Sequence, residues 1–180
     1  MVRRSLFIIL AVLVLLAAAA GAAVWYAKPQ EKLDLAYRPL SFVDKALDML
    51  QNRKLEVRLN EQELNDLLKK KLSEQPQLRP NVTIEGARFE QRGDRLTAHV
   101  NIRTAANVKV GAALDFALEW RSPDLIVRHT ATRIRDWSVP SSWLQLEPIV
   151  VPISDGLPPL IAIREIRFDP QGIVVALKLP

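Results

Sequence analysis

General acid or base work near neutral pH most often falls to histidine, and this sequence of 180 residues holds two, His99 and His129. Neither has a catalytic setting. His99 falls on the polar side of an alternating run, with Thr97, Asn101 and Arg103. His129 falls in phase with Leu125, Val127 and Ala131, the position of a half-buried structural residue. The pair Ser141-Ser142 lacks the turn that presents a nucleophile, and Ser142 reads more simply as a helix cap. The six glycines stand singly and read as turn or bulge positions, so no phosphate-cradling loop forms. Acidic residues are dispersed and give neither a calcium loop nor a carboxylate pair. The lack of cysteine excludes thiol chemistry, zinc clusters and disulfides. Arg92-Gly93-Asp94 spells an adhesion tripeptide, but turn geometry alone accounts for Gly93-Asp94 at a hairpin tip. The sequence predicts no catalysis, no metal and no cofactor.

Charge narrows the partners further. The formal net charge is +5, and with Arg3 and Arg4 set aside 23 basic residues face 20 acidic ones. Such a mild excess suits the surface of an anionic membrane. The basic residues are scattered rather than striped, which argues against nucleic acid. What remains is the chemistry of apolar burial, and it depends on the elements that carry the apolar side chains.

The first such element is N-terminal. From Leu6 to Ala27 there are 22 consecutive residues without a charge, enough to cross a hydrocarbon core of about 30 Å. Arg3 and Arg4 precede the run, Trp25 and Tyr26 occupy the place of an interfacial aromatic belt, and Lys28 closes it. A retained anchor would leave the N-terminus cytoplasmic and the bulk of the chain outside the cell membrane. The same run fits a cleaved signal peptide, with Leu6 to Leu16 as its apolar core and Ala18, Ala20 and Ala22 as small residues for cleavage. Either reading exports the remainder. The organisation is then residues 1–28 as anchor or signal, 29–53 as connector and short helix, and 54–180 as one extracytoplasmic α+β domain.

Periodicity supplies the rest. Residues 28–40 read as a connector, followed by a short helix from Ser41 to about Asn52. Leu55, Val57 and Leu59 alternate with charged neighbours as a half-buried strand. A helix begins at once: Asn60 is its N-cap, Glu63 completes a capping box, and Leu59 with Leu64 form a hydrophobic staple. Leu64, Leu67, Leu68 and Leu72 make one stripe, and Lys69, Lys70 and Lys71 form a solvated, dipole-matched end. From Asn81 to about Asp136 the period is two, with a phase change that predicts a bulge near Gly86. Strands around Leu96–Ile102 and Val108–Trp120, with turns at Gly93-Asp94 and Ser122-Pro123-Asp124, predict an antiparallel meander with one apolar face. Ser142 to about Ile153 reads as an apolar, partly helical segment limited by prolines. A hairpin, Ile163–Phe168 and Ile173–Leu179 around Asp169-Pro170-Gln171-Gly172, ends the chain.

This layout resembles a known family. An N-terminal anchor, L-E-V-R-L-N-E-Q-E-L-N-D-L-L, a run of antiparallel strands, W-S-V-P-S-S-W-L, L-P-P-L and a hairpin ending V-V-A-L-K-L are similar to the YpmS family of Gram-positive envelope proteins. More distantly they resemble the tubular lipid-binding (TULIP-like) domains. The resemblance implies an α+β fold in which a curved antiparallel sheet wraps an amphipathic helix, and binding of phospholipid or another lipophilic molecule. It carries over no catalytic residue. Candidate ligand contacts come from the apolar pattern: Leu64, Leu67, Leu68 and Leu72 on the helix, Phe116, Leu118 and Trp120 on the long strand, and Trp143, Leu144 and Leu146 in the late segment. The same residues suit a filled core better than a ligand contact, taken one by one. In that case the alternative is an accessory protein that docks onto an envelope enzyme complex.

Overall fold

A computed structural model describes residues 2–39, 55–79, 82–144, 146–152 and 162–178. An apolar helix, α1 (Val2–Ala27), is followed by a strongly curled antiparallel half-barrel sheet with a helix packed against it, an α+β fold. The helix expected from Ser41 to Asn52 lies outside the described residues.

The capping chemistry anticipated at Asn60 is present. Strand β1 (Glu56–Asn60) runs directly into α2 (Glu61–Glu74), where Glu63 N–H donates to Asn60 Oδ1 and Asn60 N–H donates to Glu63 Oε2, both at 2.9 Å. Strands β2 (Gln77–Arg79), β3 (Val82–Arg92), β4 (Arg95–Thr104), β5 (Lys109–Arg121) and β6 (Asp124–Ile134) follow in sequence order across the main sheet. Beyond β6, its outer edge is shared by β7 (Trp137–Val139) at one end and β8 (Ile149–Pro152) at the other. The closing hairpin, β9 (Ala162–Asp169) and β10 (Gly172–Lys178), joins β1 in a second sheet of order β1-β10-β9. Nothing in the local pattern predicts the pairing of β1 with β10, which joins residues more than a hundred positions apart.

Along β3 to β6, two register shifts set which residues face inward. The first lies between Ile84 and Gly86, as the phase change predicts. The second lies on β6: Phe116 faces His129 but Asp115 faces Ala131, so Thr130 is the extra residue. Ala131 therefore leaves the phase expected for it, and the buried Thr132 takes the inward position instead.

The core forms where the two sheets and α2 meet. Leu64 of α2 packs with Leu96, Leu118, Ile163, Ile166, Ile173 and Leu177. A second cluster of Ala87, Ala98 and Val100 is covered by Leu72 and by Leu35.

Three expectations are corrected. The described part of the Ser142–Ile153 segment contains no helix; Ser141–Trp143 is a turn, and Ile149–Pro152 is extended because β6 offers it an open edge to pair with. Ser142 lies within that turn and caps no helix among the described residues. Two glycines occupy neither a turn nor a bulge: Gly21 lies inside α1, and Gly111 lies in the middle of β5.

Candidate functional site

The inner face of the half-barrel follows from alternation along β4 and β5. Cross-strand pairs Leu96–Phe116, Ala98–Leu114, Val100–Ala112 and Ile102–Val110 line one side, continued onto β6 by Leu118–Val127 and Trp120–Leu125. Around the buried core, Leu68, Phe89, Phe116, Trp120, Leu125, Val127 and Phe168 remain only partly buried. The wall thus has a filled base and a row of aromatic and branched side chains still reached by solvent.

Of the ten expected contact residues, Leu64 and Leu118 are buried within the core, and Leu68, Phe116 and Trp120 pack against it. Leu72 joins the neighbouring cluster. Leu67 is half-buried in neither. Trp143, Leu144 and Leu146 are not brought to this wall: Trp143 is 72% exposed and stacks edge-to-face on Trp137 at 5.7 Å. Leu144 and Leu146, both half-buried, join neither cluster.

His129 is on the inner wall, edge-on to Phe116 at 5.7 Å, with its Nε2 2.7 Å from Thr132 Oγ1. His99 lies on the outer face with Nε2 3.5 Å from Glu90. Among the described residues no three His, Asp or Glu side chains gather as a metal would require.

The outer face is polar and charged. Arg103 and Lys109 flank Glu85, and their hydrogen bonds hold its carboxyl below the usual range. Arg88 does the same for Glu90, and Arg121, with Arg128, for Glu119. Arg133 and Thr97 both bind the Asp115 carboxylate.

The segment predicted as a connector is docked across this face. Gly86 faces Asn101 and Asn101 faces Gly111, so these residues form one row over three strands. Residues 29–34 lie along that row. A Cβ on Gly111 would stand 2.8 Å from Pro29 Cα, and one on Gly86 would collide with the Leu33 carbonyl. Asn101 Nδ2 donates to the Glu31 carbonyl at 2.8 Å. β2 pairs only with the start of β3, so the rest of that edge is open. There Ala87 N–H donates to Asp34 O at 3.1 Å, and Leu35 turns into the inner cluster. Lys69 pairs with the Asp34 carboxylate at 3.2 Å and, with the Ala36 N–H, holds its pKa down. Lys69 is thus a partnered residue, only 14% exposed, and not part of a solvated helix end.

One further residue ties α1 to the sheet. Arg135, with φ of 53°, occupies the two-residue turn between β6 and β7, a conformation uncommon outside glycine. Its guanidinium lies 5.5 Å from the Trp25 ring centroid and 5.1 Å from that of Tyr26. Its buried Nε has no hydrogen-bond partner. Sequence reasoning missed Arg135 and the docking of residues 29–34 as a strap; mid-strand Gly111, which has no turn to make, was the available signal.

Within α1, Leu10–Ala27 is long and apolar enough to cross a membrane, and none of it is buried by the protein. Comparison with protein-family models, with curated proteins and with solved structures finds no match for the chain.

Proposed function

We propose that the protein is a single-pass, membrane-anchored extracytoplasmic domain that holds the acyl portion of a phospholipid, or a similar lipophilic molecule, along the inner wall of its half-barrel. It makes or breaks no bonds. The observation that carries this reading is the partial exposure of Phe116, Trp120, Leu125, Val127 and Phe168 around a filled base. Ligand sites are concave and mainly apolar, and an acyl chain laid on that wall would complete its burial. Arg3 and Arg4 before the span favour a cytoplasmic N-terminus. The strap seats the domain directly against the end of α1, so the wall stays beside the bilayer from which its ligand would come.

Native mass spectra of the full chain, released from detergent in the gas phase, test the reading when compared with Trp120→Arg. Lipid retained at fixed stoichiometry by the native chain and lost from a variant with unchanged circular dichroism is the expected result. Equal lipid adducts on both chains would mean lipid held only around α1, and the inner-wall reading would fall.

A second reading, docking onto an envelope protein complex, is favoured by β8, where Ile149, Val150 and Val151 are 53%, 56% and 37% exposed on an edge strand. A photo-crosslinker at position 150 in intact membranes should then give one discrete adduct, and a smear or none speaks against it.

A further inference from the structure

We infer that Trp137 and Trp143 form a second contact with the bilayer interface, holding the β6–β7 end of the half-barrel down on the membrane that α1 crosses. The inference rests on the anchor reading of α1 and adds to it the orientation of the domain. Arg135 fixes the depth. Its guanidinium packs on Trp25 and Tyr26, the aromatic end of the span, so the β6–β7 turn lies level with the belt where such rings settle.

Trp137 follows Arg135 by two residues, pairs with Ile134 across the turn, and is 42% exposed. Trp143 N–H donates to the Pro140 carbonyl at 2.9 Å, a turn that brings its ring edge-to-face onto Trp137 while leaving it 72% exposed. Neither indole belongs to an apolar cluster of the core. Two large rings left in solvent mark an interaction surface. Continuity with Trp25 and Tyr26 selects the occupant: an interface that takes an apolar ring body and a hydrogen-bonding N–H together. Lys28, exposed and two residues beyond Tyr26, suits a lipid phosphate.

The test uses the full chain in phosphatidylcholine vesicles containing lipids brominated at shallow or deep acyl positions. One variant, Trp25→Phe with Trp120→Phe, leaves Trp137 and Trp143 as the emitters; another, Trp120→Phe with Trp137→Phe and Trp143→Phe, leaves Trp25. Circular dichroism confirms that both fold, and Trp25→Phe keeps an aromatic ring under Arg135. The expected result is blue-shifted emission from Trp137 and Trp143, quenched more by shallow than by deep bromine, alongside quenching of Trp25. Solvent-like, unquenched emission from Trp137 and Trp143 while Trp25 is quenched overturns the inference and leaves the anchor standing. Loss of quenching at all three positions overturns both. Blue-shifted emission that bromine does not touch means that the rings are covered by this chain or by a second copy of it, and also overturns the inference.

Discussion

The two faces of the main sheet are made by alternate residues of the same strands, yet they depend on different physics. On β4 and β5 the inner side carries Leu96, Ala98, Phe116 and Leu118, and the outer side carries Thr97, His99, Asp115 and Glu119. Inner contacts remove apolar area from water and so dominate stability. Outer ion pairs are solvated; Glu119, Arg121 and Arg128 are each at least 41% exposed, where such pairs contribute little. The outer face serves instead as a seat for the strap of residues 29–34. A slip of one residue in register would exchange the two faces, which is why the bulges at Gly86 and Thr130 matter.

The sharpest way to break the comparison is to cut neighbours on opposite sides of β5. Leu118→Ala removes a side chain 6% exposed at the junction of both sheets and α2, and should cost about 2–5 kcal/mol of unfolding free energy. Glu119→Ala, one residue away, should leave the urea midpoint almost unmoved. Equal losses at the two positions would mean that the outer lattice carries structural weight denied to it above.

The next effect comes from the strap. Gly86→Ala places a Cβ on the Leu33 carbonyl, forces residues 33–34 off the β3 edge, and strands the Ala87 N–H. A loss of about 1–3 kcal/mol is expected, with protease cleavage appearing between Pro29 and Tyr37. If the strap stays protected in this variant, its docking is looser than the close approach implies. Smaller again is Asn60→Ala, which removes one half of the capping box and should cost about 1 kcal/mol in thermal or chemical unfolding.

The sequence made local order readable and distant order much less so. The capping box, the Gly86 bulge, the Gly93-Asp94 turn and the final hairpin all rest on residues within a few positions of one another, and each is present. The pairing of β1 with β10 rests on contacts that no window of sequence contains. Apolar periodicity gave Leu64, Leu68 and Leu72 of α2 and Leu114, Phe116, Leu118 and Trp120 of β5 correctly as inner residues, because one face of each is buried. It misplaced Trp143 and read a helix in the segment that follows, since a short apolar run among prolines has no period to separate helix from edge strand. The docking of the connector was hidden for the opposite reason: its seat is two glycines and an asparagine, with Ala87 N–H, Arg88 and Lys69 as further partners, and none of these forms an apolar period.

Acid separates the two faces by their chemistry, with the smallest effect per residue. Asp34, Glu85, Glu90 and Glu119 all have carboxyls held below the ordinary values of 3.8 for Asp and 4.5 for Glu by neighbouring Lys, Arg or backbone N–H groups. In that range the unfolded chain binds more protons than the folded one. Their stabilisation is therefore complete above the ordinary values and is lost as pH falls through the depressed ones. Urea midpoints measured from neutral pH down past that window should fall, less steeply in high salt. Glu85→Gln with Glu119→Gln should flatten the decline with little change at neutral pH. Leu118→Ala should lower the whole curve and keep its slope, because it removes apolar burial and leaves all four of these carboxylates in place. A slope that follows Leu118→Ala and ignores the glutamine variants would place the acid-sensitive groups on the inner side of the sheet and remove the division between the faces.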